Sequence, residues 1–142
     1  DSLLAQTETD ATPCIDGMAN TTTGSFPCSK VDLLHHLPLS TFGSGRGNDV
    51  WGWSTVDATT QTVREFALMG LNDGTGIVEV TNPTSPVYLG KLPLPPNVEP
   101  SSWRDIKTFQ NYALIGSEAE GHGVQILELQ QLLTATPGTV FA

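Results

Sequence analysis

The sequence predicts an all-β protein of antiparallel, blade-like sheets behind a disulfide-pinned N-terminal arm, and three observations carry that prediction. Apolar and polar residues alternate in short runs such as residues 76–81 (GIVEVT), the period of a half-buried strand. Turn residues punctuate those runs, most clearly Asn72-Asp73-Gly74 between two apolar segments, the signature of a hairpin. A strand pattern also recurs. Phe66-Ala67-Leu68-Met69-Gly70 lies over Tyr112-Ala113-Leu114-Ile115-Gly116 at an offset of 46 residues (66 to 112), and residues 76–80 lie over 123–127 at an offset of 47 (76 to 123). A period of this length matches one blade of a β-propeller.

Taken in order, the elements fill a single domain over residues 1–142. Residues 1–47 read as an extended arm, rich in Thr, Ser, Pro and Gly and without a helical period. Cys14 and Cys28 sit in it fourteen positions apart, and in an oxidising compartment they close a loop worth roughly 3 kcal/mol. A two-cysteine metal site is the competing reading, but no CxxC or Cys/His spacing supports it. Asn20-Thr21-Thr22 is a glycosylation sequon inside the same loop. Residues 31–39 (VDLLHHLPL) suit one helical turn or an edge strand, ended by Pro38, and residues 43–48 (GSGRGN) suit a flexible loop. The first blade-like repeat spans 48–92: a strand through Val50-Trp51-Gly52-Trp53, a hairpin tip at 57–62, strands at 64–71 and 76–81, a turn at 82–86 and a strand at 87–90. A connector follows, with four prolines in residues 93–100. The second repeat spans 101–133, with strands at 105–109, 112–116 and 123–129. Residues 130–134 suit a short helical turn broken by Pro137-Gly138, and nothing near Ala142 reads as a closing strand.

Composition narrows function by exclusion. Six basic residues against fifteen acidic ones give a net charge of −9, which is wrong for nucleic acid and for anionic membrane surfaces. No apolar run approaches the ~20 residues of a membrane span. A start at Asp1 rather than Met, with the cysteines and the sequon, is what a secreted, extracellular chain shorn of its signal peptide would show. There is no GxSxG, P-loop or dinucleotide fingerprint, so no catalytic residues and no cofactor are assigned.

Several residues are weighed as ligand or interface positions. Trp51 and Trp53 share one strand face and suit a sugar platform, although core packing is the stronger reading. Trp103-Arg104-Asp105 suits a buried polar knot or an aromatic stack, with Lys107 on the same strand face as Asp105. His122 with Glu118 and Glu120 is the nearest approach to a metal site, and a solvated hairpin tip explains the same residues better. His35 and His36 are adjacent and on a strand point to opposite faces.

The chain resembles the extracellular LVIVD-repeat proteins of the choice-of-anchor B family. The resemblance runs from the Cys14/Cys28 pair through Val31-Asp32-Leu33-Leu34, Asn48-Asp49-Val50-Trp51-Gly52-Trp53, Glu65-Phe66-Ala67-Leu68 and Gly70-Leu71-Asn72-Asp73-Gly74-Thr75. It continues through Pro83-x-x-Pro86, Tyr88-Leu89-Gly90 and Trp103-Arg104-Asp105-Ile106-Lys107 to His122-Gly123-Val124-Gln125. It implies a secreted, β-propeller-like protein and carries no catalytic residues with it; family members are about twice as long or more. Two repeats alone leave an apolar face and strand edges uncovered. The expected function is therefore a non-catalytic interaction module that self-associates or serves as a small accessory subunit of a larger secreted protein, such as a fungal oxidase of the heterodimeric laccase type. Val78, Val80, Leu114, Ile126 and Leu129 are expected at core or interface. A lectin-like carbohydrate-binding module through Trp51, Trp53 or Trp103 is one alternative, and a metal-dependent hydrolase around His122, Glu118 and Asp105 is another.

Overall fold

A computed structural model describes residues 11–142. The first ten residues of the expected arm lie outside the described residues. From Met18 onward the chain forms ten strands: β1 Met18–Thr21, β2 Gly24–Pro27, β3 Gly47–Val56, β4 Val63–Leu71, β5 Gly74–Glu79, β6 Val87–Pro93, β7 Arg104–Phe109, β8 Tyr112–Ser117, β9 Val124–Glu128 and β10 Thr139–Val140. They make a β1–β2 hairpin, a five-stranded sheet ordered β10-β6-β5-β4-β3 and a three-stranded sheet ordered β7-β8-β9.

The turn chemistry places the hairpins. Asn72 and Asp73 link Leu71 to Gly74, which are paired across β4 and β5. Gly74 takes the positive φ of +147° there, not Asn72 or Asp73. Lys91 holds Asp73 at 2.8 Å. Asp57 accepts the amides of Thr59 and Thr60 at the β3–β4 tip, and Gln110-Asn111 joins β7 to β8.

The arm departs from the extended segment expected. A Cys14–Cys28 disulfide closes it, with the cysteine Cα atoms 5.9 Å apart, and the closed loop contains the β1–β2 hairpin. Residues 31–39 form neither a helical turn nor a strand. Leu33 makes one antiparallel bridge to Thr12, and a single 3₁₀ turn begins only at Leu39 (Leu39–Phe42). Because Pro38 lacks an amide and fixes φ, the chain turns after it rather than through it. The loop expected at 43–48 ends early, since β3 starts at Gly47.

The C-terminus overturns the expectation that nothing closes the pattern. After a 3₁₀ turn over Leu129–Thr134, β10 returns to the first sheet and pairs with β6, parallel rather than antiparallel. Gly90 makes that approach possible. Its φ is +152°, and a Cβ there would collide with the Thr139 backbone.

The two larger sheets pack face to face. Trp53, Phe66, Leu68 and Ile77 of the first meet Ile106, Ala113, Ile115 and Leu127 of the second, with Leu129, Leu132 and Phe141 closing the end. The arm covers part of the first sheet's other face: Phe42 packs with Leu71 and Val78, while Leu37, Met69, Val80 and Tyr88 pack around them, and Val50, Val56 and Val63 on the same face stay exposed. Val78 and Leu129 are thus buried as expected, and Val80 is half-buried.

Arg64 ties these layers together. Its guanidinium donates two 2.8 Å hydrogen bonds to Glu79 and one of 2.7 Å to the Leu133 carbonyl. The Arg64 hydrogen bonds, outweighing burial, hold the Glu79 carboxyl below its ordinary range. A depressed carboxylate contributes stability above its unfolded pKa, and that stability is lost as pH falls through the folded value. Wild-type protein should therefore lose urea midpoint on going from pH 7 to pH 3. Glu79→Gln should cost about 1–3 kcal/mol at pH 7 and much less at pH 3. An equal deficit at both pH values would refute the assignment.

Candidate functional site

Two features remain once the core is accounted for: a buried polar knot at the junction of the sheets, and an uncovered apolar face.

The knot centres on Arg104, which is 3 % exposed on β7. Its Nε donates to the Leu71 carbonyl at 2.9 Å, and its Nη1 lies 2.8 Å from His122 Nε2. His122 Nδ1 is 2.9 Å from the Gly123 carbonyl. A carbonyl only accepts, so Nδ1 carries the proton and Nε2 accepts from Arg104. The lone pair that a metal would take is thereby occupied. Glu118 and Glu120 stay exposed on the turn. Among the described residues no three His, Cys, Asp or Glu side chains come together as a metal-ligand set. Burial pushes the Arg104 guanidinium down from its ordinary value, against the opposing pull of the Asp73 carboxylate.

The tryptophans divide in role. Trp53 is buried and its Nε1 donates to the Gln110 carbonyl at 2.9 Å, while Trp51 Nε1 donates to Thr108 Oγ1 at 3.0 Å. Both rings do share a face, the one that meets the second sheet. Lys107 Nζ sits 4.3 Å from the Trp51 ring centroid and 2.6 Å from Asp105. The Lys107 hydrogen bond, outweighing burial, lowers the Asp105 pKa. Asn48 and Asp49 side chains accept the Arg104 and Ile106 amides, so the first sheet covers the free edge of β7. Trp103 stands exposed beside a groove lined by Asn48, Arg104, Asp105 and Glu118. Asn20 is exposed on β1.

Among the described residues, the uncovered face belongs to the second sheet. Leu114 and Ile126 are paired across β8 and β9, so they lie on one face, and they are 39 % and 64 % exposed. Phe109, Tyr112 and Val124 continue that face and are exposed too. Asp105, Lys107 and Glu128 share its strand parity and form a polar rim. Sequence reading singled out Leu114 and Ile126 but missed Phe109, Tyr112 and Val124. The available signal was that β8 and β9 are apolar at both parities, the mark of a strand meant to be covered on two sides.

The repeat says which way that face looks. Phe66 and Leu68 point from the first sheet into the second, and their equivalents at the 46-residue offset are Tyr112 and Leu114. Ala67 and Met69 point toward the arm, and their equivalents Ala113 and Ile115 point back into the first sheet. The two sheets therefore stack head to tail. The face that the first sheet buries against its successor is the one the second sheet leaves open.

No family model, no curated protein and no solved structure matches this chain.

Proposed function

We propose that this protein is a non-catalytic, secreted interaction module whose docking surface is the uncovered face of the second sheet. The observation that carries the reading is the exposed row of Phe109, Tyr112, Leu114, Val124 and Ile126 on a sheet otherwise packed like a core element. Single exposed apolar residues are ordinary, but a contiguous row framed by Asp105, Lys107 and Glu128 has the anatomy of an interface, apolar at the centre and polar at the rim. Secretion is supported by the Cys14–Cys28 disulfide and the exposed sequon at Asn20. The propeller-like reading, and with it the resemblance to LVIVD-repeat proteins, draws support from the head-to-tail stacking, because successive blades present the same face in the same direction.

A dye that fluoresces in apolar sites, such as ANS, tests the surface. Native protein at low concentration should raise ANS fluorescence several-fold. The double substitution Leu114→Lys, Ile126→Lys should abolish most of that rise while leaving far-UV and near-UV circular dichroism unchanged. No rise with native protein, or a rise indifferent to the two lysines, rules the surface out.

A further inference from the structure

We infer that the uncovered face of the second sheet is covered by the same face of a second copy, in a twofold dimer. The inference rests on the docking reading above and names the occupant.

The two ends of the stack are unlike. At one end the arm lies over the first sheet, with Phe42 in contact with Leu71, Val78 and Tyr88. The disulfide anchors the start of that arm, and Leu33 bridges back to Thr12. Open head-to-tail growth needs the outer face of the first sheet, and the arm occupies the β4–β6 part of it. A repeat stack stays soluble when its terminal units are capped, and here only one end carries a cap among the described residues. Two copies joined at their open ends give the order arm, first sheet, second sheet, second sheet, first sheet, arm. The exposed apolar row of each second sheet is then covered. A twofold contact is also closed, so it cannot propagate into fibres.

The surface has the chemistry a self-contact needs. Leu114 lies on the central strand of the second sheet and Ile126 beside it, so a twofold axis near that pair sets apolar residues against apolar residues. Lys107 at the rim is already paired with Asp105 of its own chain, so the apolar residues carry the contact. Sheets packed face to face in this way make the ordinary aligned or orthogonal sandwich. Five large apolar side chains form a small patch beside the roughly 800 Å² per partner of a standard interface, so the dimer should dissociate in the micromolar range. Each chain carries a net charge of −9, and added salt should therefore strengthen association by screening.

Sedimentation velocity on the full chain, from about 1 to about 300 μM, provides the test. The wild type should pass from monomer to dimer and no further. Leu114→Lys and Ile126→Lys should each raise the dissociation constant by about 30-fold or more. Val140→Lys, on an exposed position of β10, should change it less than about 2-fold. ANS fluorescence per chain should fall as the dimer forms. A wild type that stays monomeric throughout overturns the dimer. If that monomer binds ANS at this face, the docking reading stands with another occupant; if it does not, both fall. Species larger than a dimer, or equal weakening by Val140→Lys, also overturn the inference.

Discussion

Trp53→Ala should lower folding stability by about 3–5 kcal/mol, a large part of what a domain of this size has. Trp53 is 7 % exposed and stacks on Phe66 with ring centroids 5.5 Å apart, in the middle of the inter-sheet core. Its removal takes away a large apolar surface and leaves a cavity that strands on both sides are too constrained to fill. It also strands the Gln110 carbonyl that accepts the indole N–H. The melting temperature should drop by about 10–15 °C. Trp53→Phe should recover most of the packing and cost about 1–2 kcal/mol for the lost hydrogen bond. This substitution also separates the lectin-like alternative from the core role. Stability within about 1 kcal/mol of wild type, with altered sugar binding, would place Trp53 on a binding platform instead.

Arg104→Ala should cost about 2–4 kcal/mol, because it removes one donor set from several acceptors at once. The Leu71 carbonyl and His122 Nε2 both lose their hydrogen bonds, and His122 is 5 % exposed, with little solvent to replace the donor. Arg104→Lys should not restore the loss, since a single ammonium cannot reach both acceptors with the fork that Nε and Nη1 present. Arg104→Met should fall between the two states, keeping volume while leaving the acceptors bare. Chemical denaturation gives the order, and the ¹⁵N shifts of the His122 ring give the mechanism. In wild type they should show a protonated Nδ1, and in Arg104→Ala the Nε2 resonance should shift as it loses its donor while the Gly123 carbonyl keeps the proton on Nδ1. An unmoved Nε2 resonance in the alanine variant would mean that Arg104 does not donate to it.

Much of the fold was legible because it is local. Strand alternation at 76–81, the Asn72-Asp73 turn and the 46-residue recurrence are short-range patterns, and each became a strand or hairpin close to where it was read. The disulfide was legible for the same reason: two cysteines in a polar stretch with no metal spacing have one ordinary use. What escaped was set by partners distant in sequence. β10 joins β6 only because Gly90 leaves room for Thr139, some 50 positions away. Arg64 meets Glu79 and Leu133 across two elements. The turn at 117–121 suggested that His122 was a solvated tip, yet it is buried, because Arg104 on another strand supplies the donor that draws it in.

The feature that bears on function divides along the same line. The sequence by itself determined that a strand pattern recurs at an offset of 46 to 47 residues, with turn residues between its strands. Only the tertiary structure decided that the arm packs on part of the outer face of the first sheet, while Tyr112, Leu114 and Ile126 look outward from the second with no cover among the described residues. Alternation along a strand assigns residues to one of two faces. Which face meets a neighbour depends on how whole sheets stack, and the stacking is a property of surfaces that no single segment contains.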